Sequence, residues 1–429
     1  MLSKLSISRI TLAVSALALI LCAGLFSVPK AAVAQNLHWT VETADTFGKS
    51  MSLAADKDGN IHMSYLSDDK TVRYGFRSAH NSKWFSLDVA PTAGYSDLPT
   101  KIALDPQGNP HMCFTPAVMK YASFDGKKWN VQQIDPGAGL IEFNCSVAIG
   151  PDGVPQVSWY QYSSPDSPYY LHIKYAQLVN GVWQARTLDY EGQTGKWNSM
   201  VVDSQNNPHI SYDSFLKGEI KSAYNDGKQW KISVIDSREA DRGNGAYNRG
   251  MGNSILVNSK NLAQIAYEYD DTLLYAWQTE TSWRHEVVDH ITTTGSWIGY
   301  HTRQAFDPQG RPHIVYDDNG MVKHAYWDGT EWQIQVVSGR GIERARYPDI
   351  AIDSNGTTYI AYRDANDGSL KVAVGKAEGQ AGAVKAPAKT PAAPVAKAPA
   401  ASSTPASAPS SSGASGTEAS AARPKNPGK

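Results

Sequence analysis

Trp230-Lys-Ile-Ser-Val-Ile-Asp236 is one of seven copies of a single phrase, in which a tryptophan is followed by alternating apolar and polar residues and usually by Asp or Ser. Neighbouring copies lie 45 to 54 residues apart, and they begin at Trp39, Trp84, Trp129, Trp183, Trp230, Trp283 and Trp332. A recurrence of roughly 40–50 residues that is rich in short strands is typical of a β-propeller. The phrase therefore predicts an all-β ring of blades.

A second phrase lies before each later tryptophan and reads as a β-hairpin. In the copy that runs from Ile102 to Phe114, two apolar runs flank the turn formers Asp-Pro and Gly-Asn. A third strand such as Ile220–Tyr224 follows, and then a tight two-residue turn such as Asp226-Gly227. With the tryptophan strand as the fourth, each unit predicts one blade of four antiparallel strands.

The ends of the repeat predict how the ring closes. The hairpin phrase occurs seven times, and its last copy, Ile350–Tyr362, has no tryptophan phrase after it. Trp39 conversely has no hairpin before it. We therefore predict a seven-bladed β-propeller in which the N-terminal Trp39 strand is the outer strand of the last blade. Such closure removes the exposed sheet edges that promote aggregation.

The chain divides into three predicted segments. Residues 1–34 read as a signal peptide, with basic Lys4 and Arg9, an apolar run from Ile10 to Val28 and small residues up to Ala34; an uncleaved anchor is the alternative. The propeller takes residues 35–376. The Ala-, Pro-, Ser- and Lys-rich residues 377–429 are predicted to be a disordered tail, either without a specific role or a spacer in the envelope.

Export sets the expected location and the state of the cysteines. We expect a secreted, periplasmic or cell-envelope protein with no membrane span after cleavage. Cleavage leaves Cys113 and Cys145, which the sequence predicts to be neighbours, either as a disulfide or as two buried thiols. The net charge of −1 gives no reason to expect a nucleic-acid partner.

The irregular connections indicate where function lies. The hairpins between strands one and two and between strands three and four are short and regular, whereas the blade-to-blade links and the strand two–three loops vary. Both variable connections open on the same face, and function commonly resides in variable loops on a rigid scaffold. The links carry aromatic residues near the innermost strands and arginines in the last three links. Aromatic faces stack on sugar rings, and Arg matches a carboxylate.

The candidate site residues follow from that composition. Those predicted to bind substrate are Tyr95, Trp197, Arg249, Trp297, Arg303, Arg344, Arg346 and Tyr347. His301, with Tyr300 beside it, is the candidate catalytic base. The alternative is that the aromatic residues plug the channel and that the arginines pair with Asp349, Glu343 and Asp241.

Two other sets of residues are predicted to be structural. The strand-two histidines recur at the blade period, so they are expected to form hydrogen bonds within each blade rather than a metal site: His62, His111, His209 and His313. Asx turns are expected to explain most acids of the strand two–three loops, among them Asp213, Asp317 and Asp364. We expect no metal and no cofactor.

The phrase Asp-x-x-Gly-x-Pro-His-Ile-x-Tyr, with variations at Asp105–Phe114, Asp203–Tyr212 and Asp307–Tyr316, resembles secreted bacterial propellers of the sialidase-like, BNR-repeat type. The resemblance spans Leu37 to about Lys376 and is one of repeat rather than of site. It implies a superfamily that includes sialidases, seven-bladed polysaccharide lyases and seven-bladed lectins. The sialidase Asp box is not intact, because Ser123–Trp129 has its residues at a different spacing. Sialidase activity is therefore not expected.

Three functions remain open at this stage. The first is binding of a neutral or acidic glycan on the face of the blade-to-blade links. The second is a polysaccharide lyase or other glycan-processing enzyme, with Tyr300 or His301 as base and Arg303 or Arg346 neutralising a uronate carboxylate. The third is a scaffold that binds a cell-envelope protein.

Overall fold

The computed structural model describes residues 36–92, 99–115, 118–135, 142–162, 171–237, 249–269, 271–291, 301–338, 346–364 and 366–377. At residues 142–143, 162, 249–251 and 346–347 the description covers the backbone alone. The predicted signal segment, residues 1–34, and the predicted tail after Ala377 lie outside these ranges. Within them, no helix is long and apolar enough to cross a membrane.

The described strands form seven antiparallel sheets of four, and each sheet is one blade. From the innermost strand outward, blades 1 to 3 are β2 (Lys49–Ala55), β3 (Ile61–Leu66), β4 (Thr71–Arg77), β5 (Trp84–Pro91); β6 (Lys101–Leu104), β7 (Pro110–Phe114), β8 (Lys120–Phe124), β9 (Trp129–Gln133); and β10 (Glu142–Ile149), β11 (Pro155–Tyr162), β12 (Leu171–Val179), β13 (Val182–Asp189). Blades 4 and 5 are β14 (Ser199–Val202), β15 (Pro208–Ser214), β16 (Glu219–Asn225), β17 (Trp230–Ser237); and β18 (Arg249–Val257), β19 (Ala263–Tyr269), β20 (Thr272–Gln278), β21 (Trp283–His290). Blades 6 and 7 are β22 (Arg303–Phe306), β23 (Pro312–Asp318), β24 (Met321–Trp327), β25 (Trp332–Ser338); and β26 (Arg346–Ile352), β27 (Thr358–Arg363), β28 (Leu370–Ala377), β1 (Leu37–Asp45). Each innermost strand contacts the innermost strands of both neighbouring blades around the ring, which confirms the seven-bladed propeller.

The N-terminal strand closes the ring as the sequence predicts. β1 pairs antiparallel with β28 as the outer strand of blade 7, with Trp39 opposite Gly375. A Cβ atom at Gly375 would lie only 2.6 Å from the Trp39 ring. Glycine at this position therefore lets the closing tryptophan lie flat against the neighbouring strand.

The repeated tryptophans bind one blade to the next, which confirms that they are scaffold. A strand-three tyrosine of one blade packs edge to face against the tryptophan of the following blade at four seams. The ring centroids are 4.9 to 5.3 Å apart in the pairs Tyr74–Trp129, Tyr121–Trp183, Tyr175–Trp230 and Tyr275–Trp332.

The aspartate that ends the tryptophan phrase is a second link between blades. Asp189 of blade 3 accepts hydrogen bonds from Tyr212 Oη at 3.1 Å and from Lys221 Nζ at 3.0 Å, both in blade 4. The same aspartate–tyrosine bond recurs in the pairs Asp45–Tyr65, Asp236–Tyr267 and Asp289–Tyr316. The buried tyrosine thus finds its acceptor across the seam.

The strand-two histidines serve the blades, as predicted. His62 Nε2 lies 3.4 Å from Asp56 Oδ2 of its own hairpin turn, and its Nδ1 lies 2.8 Å from Tyr74 Oη. The equivalent histidine–aspartate distances are 3.3 to 3.6 Å for His111, His209 and His313. Among the described residues, no group of three or more His, Cys, Asp or Glu could hold a metal ion.

A disulfide joins blades 2 and 3. Of the two states that the sequence left open for the cysteines, the structure has Cys113 of β7 bonded to Cys145 of β10. The bond crosses the seam near the innermost strand.

Candidate functional site

The described residues include only part of the predicted site. Trp197, His301 and Arg303 are described with their side chains. For Arg249, Arg346 and Tyr347 the backbone alone is described, on the innermost strands β18 and β26. The remaining predicted site residues lie outside the described ranges: Tyr95, Trp297, Tyr300 and Arg344.

One position of the repeat lies close to the start of the innermost strand in each blade. It lies six residues before the first residue of the strand one–two turn and is called the bulge position here; it is occupied by Ser50, Pro99, Asn144, Trp197, Gly252, His301 and Tyr347. The pairing of strands one and two is irregular there in blades 1, 3, 5 and 7. In blades 4 and 6 the position lies two residues before the innermost strand begins.

Trp197 occupies this position with a left-handed backbone. Its φ is 62°, and Ser50, Asn144 and Gly252 at the same position also have positive φ. A bulky side chain is rare in this conformation, and such strained backbone is concentrated at functional sites. Among the residues at this position, Trp197 is therefore the one whose left-handed backbone is least explained by folding alone.

The rings of Trp197 and His301 meet although they come from blades 4 and 6. Their centroids are 5.6 Å apart and their planes are at 88°, an edge-to-face contact. The bulge position of the intervening blade 5 is Gly252.

Hydrogen bonds hold the link that carries Trp197 in place. Phe215 and Leu216 donate their backbone N–H groups to the carbonyls of Gln193 and Gly192 at 3.1 and 2.9 Å. Asn198 donates its Nδ2 to the Asn144 carbonyl of the preceding blade at 2.6 Å. The indole is therefore positioned before any ligand arrives, which reduces the entropy lost on binding.

A cation lies against the same aromatic residues. Lys196 Nζ lies 5.8 Å from the centre of the Trp197 ring and 5.4 Å from that of Phe215. Both distances are within the range of cation–π attraction. This end of the channel thus combines aromatic faces with positive charge.

Lys101 and Arg303 are two further cations, which act on each other electrostatically, and Lys101 is absent from the sequence-based prediction. The residue four before the strand one–two turn is serine in four blades, but it is Lys101, Arg303 and Asp349 in blades 2, 6 and 7. Lys101 Nζ lies 3.5 Å from Asp349 Oδ2, and since blade 1 separates the two blades, this contact lies within the ring of innermost strands. Comparing this position across the blades would have singled out Lys101.

The electrostatics of this group favour an added negative charge. Burial, followed by the charge of Arg303, lowers the pKa of Lys101 to about 8. Burial also lowers the pKa of Arg303, whose Nη1 donates to the Thr302 carbonyl at 2.8 Å. Asp349 accepts the backbone N–H groups of Leu53 at 3.2 Å and Ile350 at 2.8 Å. It pairs with Lys101 and acts electrostatically on Arg303, so one carboxylate serves two cations.

The acids of the strand two–three loops do not all form the Asx turns that the sequence predicts. Asp317 and Asp364 accept backbone N–H groups of Gly320 and Asn366 at 3.0 Å, as expected of Asx turns. Asp213 is 1% exposed, and neither carboxylate oxygen has a hydrogen-bond partner among the described residues. Burial raises its pKa well above the usual range, so this acid is not explained by a turn.

Glu268 of blade 5 is also buried, beside Arg303. It accepts a hydrogen bond from the Thr302 hydroxyl of blade 6. Burial raises its pKa well above the ordinary value despite this bond. A protonated Glu268 leaves the excess positive charge of Lys101 and Arg303 uncompensated.

Comparison with known proteins identifies the fold and no family. No protein-family model matches the chain, and no curated protein sequence matches it. Among solved structures it is similar to the polysaccharide lyase Uly1, with 10% identity and a TM-score of 0.52 over 76% of this chain and 89% of that chain. An ulvan lyase of family PL25 bound to -[GlcA(1-4)Rha3S]- gives a TM-score of 0.55 at 10% identity, over 78% and 95% of the two chains. The fucose-specific lectin from Aleuria aurantia gives 0.49 at 14% identity, over 70% and 99%. At such identities the likeness shows the fold alone.

Proposed function

We propose that this protein is an exported β-propeller that binds a glycan at the mouth of its channel. The observation that carries the proposal is the contact between Trp197 and His301, which brings two blades together around a strained, preorganised indole. Aromatic faces bind the C–H-rich faces of sugar rings, and an imidazole beside them offers a hydrogen bond to a hydroxyl. Two of the similar propeller structures are polysaccharide lyases, which supports a glycan over a protein partner.

The preferred glycan carries a carboxylate or a sulfate. Lys101 and Arg303 share a single carboxylate, Asp349, so an anionic group of the ligand would complete the charge balance. The guanidinium of Arg303 matches a planar carboxylate better than a point charge does. A neutral glycan would leave this excess charge without a partner.

A lyase at the same face is the second candidate. His301 and Arg303 are two residues apart. In a lyase, His301 would abstract the proton and Arg303 would neutralise the uronate carboxylate. The roles of Tyr300 and Arg346 in this reaction stay predictions. The relation to sialidase-like, BNR-repeat propellers also stays a prediction, and we do not propose sialidase activity.

Export is part of the proposal. It rests on the signal-like residues 1–34, and the disulfide between Cys113 and Cys145 supports an oxidising compartment. Fractionation of the native host, followed by N-terminal sequencing of the mature chain, tests it. A mature chain that begins at Gln35 agrees with the proposal, whereas an intact cytosolic chain contradicts it.

A glycan array combined with an ultraviolet assay for unsaturated uronate tests the function. Binding without new absorbance supports a lectin, and new absorbance on an acidic polysaccharide supports the lyase. If neither appears across neutral, uronate and sulfated glycans, the glycan proposal is wrong and an envelope protein becomes the expected partner.

A further inference from the structure

The strand-three residue that joins one blade to the next is not the same in every blade. Strand two of each blade carries an aromatic residue, and the strand-three residue in question pairs with the residue just before that aromatic one. We call it the seam residue, and in blade order the seam residues are Tyr74, Tyr121, Tyr175, Ser222, Tyr275, His324 and Val372. Four seams use tyrosine. The seam between blades 6 and 7 uses His324 instead.

His324 makes the contact that its tyrosine equivalents make. Its ring centroid lies 5.5 Å from that of Trp39, with the planes at 84°. Trp39 belongs to β1, the strand that closes the ring. Five of the described seams are aromatic. The closing contact is therefore the one among them that uses histidine, a side chain that titrates near neutral pH.

His324 is coupled to a second histidine in the interior. His324 is fully buried, and its Nε2 lies 2.9 Å from His313 Nδ1. His313 Nε2 faces Asp307 Oδ2 at 3.6 Å. The arrangement that suits all three groups has His324 Nε2–H donating to His313 Nδ1 and the His313 Nε2–H directed at Asp307. It leaves His324 Nδ1 buried without a hydrogen-bond partner among the described residues.

Among the described residues whose rings contact His324, none carries a carboxylate that would stabilise a proton added to His324. The ring of Tyr326 stacks on His324 at 5.6 Å, the neutral Gln335 of β25 lies opposite it, and Trp39 covers it from blade 7. The nearest acid, Asp307, already accepts Arg311 Nε at 2.6 Å. Burial lowers the pKa of His324 well below its usual value, and His313 lowers it further. Burial also lowers the pKa of His313, although the hydrogen bond and the charge of Asp307 act in the opposite direction.

We propose that the seam between blades 6 and 7 is an acid-sensitive clasp, which holds the N-terminal strand in the ring while His324 is uncharged. A proton on His324 Nδ1 would create a buried charge against the Trp39 edge, at a cost that opening of the seam avoids. The other aromatic seams, which use tyrosine, are not subject to this change.

The pH window follows from the direction of the shifts. A histidine exposed by opening titrates near 6.5, and the closed ring holds it uncharged to lower pH. The open state therefore binds more protons below about pH 6.5, and the opening constant increases as the pH falls through this value. For His324, whose pKa in the closed ring is well below 6.5, the constant should increase about thirtyfold between pH 7.5 and pH 5.0.

Hydrogen exchange of β1 measures this opening directly. In the full-length protein, the opening constant of peptide 37–45 should increase about thirtyfold or more from pH 7.5 to pH 5.0 after correction for intrinsic rates. The outer strand of blade 3, residues 182–189, is the internal reference and should show no matching increase. His324→Tyr, which installs the residue of four other seams, should abolish the acid response of β1.

Matched variants separate the clasp from general acid unfolding. His111→Gln is a control at the strand-two histidine of blade 2. Blades 3 and 5 already have glutamine at this position, as Gln156 and Gln264. This variant should keep the acid response of β1. If His324→Tyr does not fold, His324→Phe replaces it and should likewise abolish the acid response of β1. An unchanged response in the His324 variants, or a wild-type β1 that responds no more than residues 182–189, would overturn the proposal.

Discussion

The Trp197 ring of blade 4 meets the His301 ring of blade 6 edge to face, with 5.6 Å between their centroids. Both residues occupy the bulge position of their blades, and Gly252 occupies it in the blade between them. Contact across an intervening blade has no counterpart in the repeating contacts of the scaffold, which join neighbours. It therefore identifies the part of the channel mouth that is specialised.

Trp197→Asn tests whether the indole is there for folding. Asn144 holds the same position in blade 3 with φ 42°, and Asn accepts left-handed backbone more readily than other residues. Relief of strain should offset the lost ring contacts, so the free energy of unfolding should change by less than about 1 kcal/mol. Denaturant unfolding measures this change.

Trp183→Ala is the control for that substitution. Trp183 packs against Tyr121 at 5.1 Å and donates its Nε1–H to Gln132 at 3.0 Å. Its loss should cost about 3 kcal/mol or more, as for large aromatic residues in cores. If Trp197→Asn destabilises the protein as much as Trp183→Ala does, Trp197 is scaffold and its placement in the site is wrong.

The charge of Lys101 predicts how acidic-glycan binding depends on pH. Its pKa of about 8 means that the free protein loses this cation as the pH rises through that value. Affinity for an acidic oligosaccharide should therefore decrease between about pH 7 and pH 9. Titration calorimetry at several pH values measures the decrease.

Lys101→Arg provides the contrast, because a guanidinium stays charged throughout this range. This variant should keep its affinity above pH 8, whereas Lys101→Met should bind weakly at every pH. A wild-type affinity that is constant from about pH 7 to pH 9 would show that Lys101 does not contact the ligand.

Asp213 predicts a stabilising substitution. Because burial raises its pKa in the folded state, the unfolded chain loses this proton first, and stability declines as the pH rises above the unfolded value near 3.9. Asp213→Asn is neutral at every pH and should stabilise the protein by about 1 kcal/mol or more at pH 7. The gain should shrink towards pH 4.

Thermal unfolding from about pH 4 to pH 8 measures this gain, and Asp58→Asn is its control because the Asp58 side chain is 59% exposed. The control should give no comparable change. A destabilised Asp213→Asn protein at pH 7 would mean that the carboxylate is ionised and bound to a partner.

Asp189 predicts a large loss of stability. Asp189→Ala removes the acceptor of the Tyr212 hydroxyl and leaves the buried Lys221 ammonium with only Glu219, at 3.6 Å, as a carboxylate partner; it should cost about 3 kcal/mol. Asp88→Ala removes an ion pair with Arg73 at an aspartate that is 69% exposed, and should cost less than about 1 kcal/mol. Equal losses in denaturant unfolding would contradict the role assigned to the seam.

The fold was predictable because the repeat presents the same evidence seven times. Most copies carry their own turn, tryptophan and aspartate, so the strand count and the closure by Trp39 follow from spacing alone. Trp197 and His301 were also recognisable, since both interrupt the repeat with a large polarisable ring near an innermost strand.

Other parts of the site were not predictable, because they depend on contacts between distant blades. Lys101 looks like an ordinary strand residue until its equivalents in other blades prove to be mostly serine. The sequence also placed Asp213 among the Asx turns, where the structure instead buries it without a hydrogen-bond partner.

Titration of an acidic oligosaccharide that the array identifies, into wild-type protein, Trp197→Asn and Phe85→Ala, tests the central claim most directly. Phe85 is an aromatic residue of an outer strand, 57% exposed and away from the channel. We expect wild type and Phe85→Ala to bind alike and Trp197→Asn to lose at least about tenfold in affinity, equivalent to roughly 1.4 kcal/mol. Equal affinities for wild type and Trp197→Asn would contradict a glycan site at the Trp197–His301 pair.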